Sequence, residues 1–160
     1  MLPILKNHKG LSLIELVIAL AILAILASVV IPLSEVTVTR LKEVELRRSL
    51  RDIRSALDAY KADYDLAVEK KKIIVVLGES GYPEELNKLL EGNDWGGLYS
   101  FKKKYLRRIP KDPFDQGGWG WGLRSYIDEP DTSVWGGEDI YDVYSQSDGI
   151  ALNGTYYREW

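Results

Sequence analysis

The chain has 160 residues, 46% of them hydrophobic, and a formal net charge of -3. That is enough apolar material for one modest core plus an anchor, and no face is basic enough to make nucleic acid the main ligand. There is no cysteine, and the single histidine, His8, precedes the long apolar run. Disulfides, thiolate metal sites and any Ser-His-Asp or His-metal constellation are therefore excluded from the body of the chain.

The first predicted element is "HKGLSLIELVIALAILAILASVVIPL", His8 to Leu33, in which Glu15 is the one ionisable residue after Leu11. A helix needs ~20 apolar residues to cross ~30 Å of hydrocarbon, so residues 11–33 are expected to span a membrane. Lys6 and Lys9 precede the span, which by the positive-inside rule keeps the leader cytoplasmic and sends the remainder across. A cleaved secretory signal ending at Ala19-Leu20-Ala21 is the rival reading. The apolar run continues well past that triplet to Leu33, which argues against cleavage there. An acid costs ~2.5–3.5 kcal/mol at the centre of a span and less toward the interface. Glu15 therefore asks for a partner. Cleavage after Gly10 would supply one, because Leu11 would then carry a free α-amino group with Glu15 fifth in the chain. The plain alternative is a carboxylate that snorkels to the interface.

Pro32 lacks a backbone N–H and clashes with the preceding turn, which predicts a kink near the outer membrane surface. Beyond it Leu46, Leu50, Ile53, Leu57, Tyr60 and Tyr64 recur at alternating spacings of four and three, against a face of Arg47, Arg48, Arg51, Asp52, Arg54, Asp58 and Lys61. The spacing predicts an amphipathic half of the long helix over 34–70. Such a stripe suits packing on the chain's own globular part and is also compatible with a coiled coil. "IIVVL", Ile73 to Leu77, reads equally as a helix end or a strand. "PEELNKLLEG", Pro83 to Gly92, reads as a short helix stopped by Gly92. "WGWGLRSYI" from Trp119 and "EDIYDVYSQ" from Glu138 read as antiparallel strands, with "GTYYREW" from Gly154 as a third. Residues 71–160 are thus expected to form a globular domain. The fold class is α+β, a long N-terminal helix packed on a small antiparallel sheet.

"KGLSLIELVIALAILAILASVVIP" resembles the class III leader and N-terminal helix of type IV pilins and type II secretion pseudopilins. A short basic leader ends in Gly10, a hydrophobic residue follows, a glutamate stands at the fifth mature place, and Pro32 comes later in the helix. The resemblance implies a leader peptide at 1–10, cleavage after Gly10 by a prepilin peptidase, and methylation of Leu11. It also implies that Glu15 pairs with the N-terminal amine of an adjacent subunit during assembly, with Pro32 a feature of the same assembly helix. "YLRRIPKDPFDQGGWGW", from Tyr105, is similar to the segment of major pseudopilins in which a tyrosine-leucine pair leads through a proline to an Asp-Pro-aromatic turn and then a strand. Asp112 before Pro113 suits such a turn. "DIYDVYSQSDGIALNG", from Asp139, is similar to the family's end region, where a Ser-x-x-x-Asp-Gly loop binds calcium. Asp148 takes the aspartate place, although the loop is one residue shorter and the usual second acid is missing. Calcium (Ca2+) at Asp148 is the one cofactor that follows.

The resemblance further implies a pilin-like fold and a protein that is not an enzyme. It implies a single pass through the bacterial inner membrane with the C-terminal domain in the periplasm. The implied partners are further copies of the chain, the prepilin peptidase, other pseudopilins and the inner-membrane secretion platform. The missing cysteines favour the pseudopilin branch over pilins that close their C-terminal loop with a disulfide. The expected function is a structural subunit of a type II secretion pseudopilus, a periplasmic filament that drives protein secretion. The alternative is a type IV pilus or adhesin-like surface filament subunit, with Trp95, Trp119, Trp121, Trp135 and Trp160 as stacking surfaces for sugars. Paired acids such as Glu138 and Asp139 carry the remaining enzyme reading.

Overall fold

The computed structural model of the protein describes residues 10, 12–76 and 78–160, with backbone alone at 29–33. Helix α1 spans Leu13–Glu69 and α2 spans Lys88–Glu91; strands β1, Trp121–Arg124, and β2, Asp142–Ser145, follow, and a short 3-10 helix at Tyr157–Glu159 comes last. The chain divides into two compact units, Met1–Thr39 and Arg40–Trp160.

In the first unit, α1 carries a series of exposed apolar residues from Leu13 through Leu26, broken by Glu15. The helix continues through Pro32, so that residue does not end it; the proline side chain lies outside the described residues, as do Leu11 and all of the leader except Gly10. Among the described residues, no helix is long and apolar enough to cross a membrane. The span expected at 11–33 includes Leu11 and the side chains of 29–33, which fall outside that description.

In the second unit, the stripe read from the sequence becomes the core. Leu46, Leu50, Ile53, Ala56 and Leu57 of α1 are buried with Leu89, Trp121, Ile140, Val143, Ala151 and Tyr157, and each large aliphatic side chain removed from water this way contributes ~1.5–3 kcal/mol. The stripe thus packs on the chain's own strands, as an intrachain contact and not as a coiled-coil seam. One residue departs from the expected solvent face. Arg54 turns onto β2, where its Nε donates to Asp142 Oδ1 at 2.6 Å and its Nη2 donates to the carbonyls of Val143 at 3.1 Å and Trp160 at 2.9 Å.

The end of α1 follows from local geometry. The Lys72 N–H donates to the Ala67 carbonyl at 2.8 Å and the Lys71 N–H to Val68 at 2.9 Å, the paired bonds of a Schellman stop. That motif places the residue after the cap in left-handed conformation, and here it is Lys71 with φ 54. An L-residue there pays roughly 1–2 kcal/mol, of which glycine's extra chain entropy would return part. Lys71→Gly is therefore expected to stabilise the chain by about 0.5–1 kcal/mol, read as a higher urea midpoint at unchanged slope. An unchanged or lower midpoint would contradict this account of the helix end. With α1 stopped at Glu69, "IIVVL" is neither helix nor strand over its described part; Ile73 to Val76 form an irregular segment, and Ile74 is 90% exposed.

The sheet is the antiparallel pair β1–β2, with Trp121 opposite Ser145, Gly122 opposite Tyr144, Leu123 opposite Val143 and Arg124 opposite Asp142. Gly122 is needed because a Cβ there would lie 2.3 Å from the Tyr144 ring, which crosses directly over it. Two sequence expectations are corrected. The helix in "PEELNKLLEG" is confined to Lys88–Glu91, because Pro83 is buried and its carbonyl accepts the Ile140 N–H at 2.8 Å, tying the start of the segment toward β2. "GTYYREW" is not a third strand. Apart from an isolated bridge between Ile150 and Tyr156, it winds into the 3-10 helix, because Tyr157 turns inward to stack on Phe114 at 4.0 Å and meets Trp160 edge-on.

Candidate functional site

Gly10 is exposed, with open space around its Cα. Two residues on, Ser12 stands immediately before α1. Its carbonyl accepts the first helical bond from Leu16 at 3.1 Å, and its hydroxyl accepts the Glu15 N–H at 3.2 Å. Ser12 to Glu15 thus has the spacing of a capping box, S-x-x-E, a signal present in the sequence but absent from the reading above. Glu15 lies in the first turn of α1, where the positive end of the helix dipole favours a carboxylate by ~0.3–1 kcal/mol. An acid in an apolar helix is therefore least costly at this position even before any partner arrives. The α-amino group that cleavage would create belongs to Leu11, outside the described residues.

The Asp-Pro turn forms as expected. Asp112 is buried, its Oδ1 accepts the Phe114 N–H at 2.8 Å, and its Oδ2 accepts the Ser145 hydroxyl from the end of β2. Trp121 donates its indole N–H to the Pro110 carbonyl at 2.8 Å. The segment is thereby held at the Asp112 turn and at the start of β1.

Tyr105 leads to a polar cluster that the sequence reading missed. Asp63 on α1 is buried and accepts three donors: the Tyr99 hydroxyl at 2.7 Å, the Tyr105 hydroxyl at 2.6 Å and Lys103 Nζ at 2.6 Å. Trp95, buried with a positive φ of 54, donates its indole N–H to the Tyr105 oxygen at 2.7 Å. Burial pushes the Asp63 carboxyl up, but the bonds from Lys103, Tyr105 and Tyr99 outweigh it and hold the group below its ordinary value. Lys103 is raised, chiefly by its bond to Asp63. Burial and the same carboxylate push Tyr105 well up. At the other end of the stripe, Glu43 is buried and accepts the Leu152 N–H at 2.7 Å and the Tyr157 hydroxyl at 3.3 Å. A signal existed for both acids, since Glu43 stands three residues before Leu46 and Asp63 three residues after Tyr60, which puts each on the buried face of the stripe.

Asp148 is exposed and stands 3.7 Å from Arg158. Among the described residues no three His, Cys, Asp or Glu side chains come together as a metal site. Calcium takes six to eight oxygen ligands. One exposed carboxylate beside a guanidinium does not fit that requirement. Glu138 and Asp139 both line a cleft of about 730 Å³ together with Tyr60, Tyr64 and Tyr82. Asp139 is occupied there, its Oδ1 accepting the Tyr126 N–H at 2.9 Å and its carbonyl the Trp135 indole N–H at 2.7 Å. Of the five tryptophans, Trp95 and Trp121 are buried, Trp135 and Trp160 donate their indole N–H groups within the unit, and Trp119 is 78% exposed.

No curated protein and no solved structure matches the chain. Residues 5–31 match the family model described as the prokaryotic N-terminal methylation motif. The matched stretch contains Gly10, the capping pair Ser12 and Glu15, and most of the apolar helix. It supports a type IV pilin-like or pseudopilin protein, processed as a prepilin at its N-terminal segment.

Proposed function

We propose that the chain is a structural subunit of a type II secretion pseudopilus. It is cleaved after Gly10, methylated at Leu11, anchored in the inner membrane by residues 11–33, and assembled through that helix into a periplasmic filament. The observation that carries this reading is the methylation motif over 5–31, with Glu15 in the first turn of the helix that follows Gly10. The Asp112 turn and the small antiparallel sheet behind it support the pseudopilin branch. In this reading the globular unit carries no catalysis, and its partners are its own copies, the prepilin peptidase, other pseudopilins and the secretion platform.

The orientation rests on leader processing and not on charge. Lys6 and Lys9 precede the span, but Arg40, Lys42, Arg47, Arg48 and Arg51 follow within twenty residues of it, so the positive-inside rule alone does not send the C-terminal part outward. The second reading, a pilus or adhesin-like surface subunit, is favoured by one observation, the exposed indole of Trp119. Deleting the gene separates the two. Loss of extracellular enzymes from the medium, restored by the wild-type chain, fits the pseudopilus. Intact secretion with loss of surface filaments would overturn it in favour of the pilus.

A further inference from the structure

The loop from Asp115 to Gly120 holds an exposed tryptophan in a fixed pose. Asp115 gathers three backbone N–H groups, from Gly117 at 3.1 Å, Trp119 at 3.1 Å and Gly120 at 2.9 Å. Those bonds, that of Gly120 foremost, also keep its carboxyl below the ordinary range. The indole rests against Gly117, where a Cβ would lie 1.7 Å from its Nε1, so no other residue fits beneath the ring. Trp119 is nevertheless 78% exposed, and among the described residues its Nε1 meets no acceptor. A large aromatic side chain ordered by its backbone but left in water gains nothing for folding.

Beside the ring is a cavity of about 360 Å³, lined also by Gln116, Gln146 and Ser147, at the lower end of the size of small-molecule sites. Gln146 reaches across it, its Nε2 3.4 Å from the carbonyls of Trp119 and Gly120. The lining offers two primary amides, a hydroxyl and the exposed indole face of Trp119, together with Phe114, which is stacked on Tyr157. Its one charged group, Asp115, is negative and already committed to the backbone, so a phosphate or carboxylate ligand has no cation to meet.

We propose that this cavity binds a neutral carbohydrate, one pyranose ring stacking its C–H face on Trp119 while its hydroxyls bond to Gln116, Gln146 and Ser147. A pyranose joins an apolar face to an edge of paired donors and acceptors, which is the pattern the lining presents. The proposal stands apart from the filament reading: a chain that assembles but binds no sugar sinks only this proposal.

The test is calorimetric titration of the full chain, held in a detergent without a sugar headgroup, with maltotetraose, cellotetraose, chitotetraose and a galactose tetramer. At least one is expected to bind with a dissociation constant on the order of 0.1–1 mM. Trp119→Ala should weaken that binding at least roughly tenfold. Gly117→Ala should weaken it too by displacing the indole, and Gln146→Ala more modestly, while Trp135→Ala leaves it unchanged. Matching melting temperatures would show that each variant is folded. No binding of any of the four at about 10 mM, equal binding by Trp119→Ala, or displacement of the sugar by a proline-rich peptide at lower concentration would overturn the assignment.

Discussion

Replacing Asp63 by alanine is expected to remove roughly 2–4 kcal/mol of folding stability and to lower the melting temperature by about 10 °C. The carboxylate is buried and accepts from Tyr99, Tyr105 and Lys103 at once. Its loss strands two hydroxyls and an ammonium, each of which gave up water to reach it. Breaking a fully buried ion pair costs ~3–5 kcal/mol. The figure here is lower because the Lys103 side chain is 36% exposed and can swing back to solvent. The same cluster gives a pH dependence whose sign follows from the two shifts. Asp63 is lowered from 3.8, so its contribution is present above that pH and lost as pH falls through its lower folded value. Lys103 is raised from 10.5, so its contribution is present below that pH and lost as pH rises through its higher folded value. The stability difference between the wild-type chain and Asp63→Ala should therefore be flat between those limits and shrink beyond each. A difference under about 1 kcal/mol at neutral pH would show that the cluster is replaceable by water.

Glu15→Gln is expected to abolish filament assembly while leaving cleavage after Gly10 and helix formation intact. The substitution separates the capping-box position of Glu15 seen in the structure from the assembly role proposed for it. As a capping-box member, glutamine serves about as well as glutamate, so the helix start with Ser12 should survive. As the partner of a charged amine in an apolar surrounding, a neutral amide forfeits the ionic part of the interaction, and a charge left unpaired there is costly. Cross-linking in membranes reads the outcome. A ladder of multimers from the wild-type chain and none from Glu15→Gln assigns Glu15 to assembly. Equal ladders would leave it a helix-capping residue and nothing more.

The parts of the fold legible in the sequence were those written in local periodicity. The stripe Leu46, Leu50, Ile53, Leu57 predicted the buried face of α1, and the aromatic alternation around Trp121 and Val143 predicted the strand pair. What escaped depended on partners far along the chain. Asp63 is satisfied by Tyr105, 42 residues on, and Arg54 by Asp142, 88 residues on; local spacing hints that Asp63 is buried but names no partner, and it puts Arg54 on the solvent face. Tyr157 was misassigned for a related reason: alternation in "GTYYREW" suits a strand, but the pull of Phe114 and Trp160 on its ring decided the backbone. At the candidate site, Gly10 and Glu15 were legible because the motif is a contiguous pattern. The capping role of Ser12 is equally legible in the S-x-x-E spacing, since it too is a local pattern.

The most direct test of the central claim is intact and N-terminal peptide mass spectrometry of the protein taken from its native membrane. The account predicts a chain lacking residues 1–10 that begins with a methylated Leu11. An intact Met1 would contradict it by leaving a simple anchored domain with no new amine for Glu15, and a start after Ala21 would contradict it by making the chain a secreted protein.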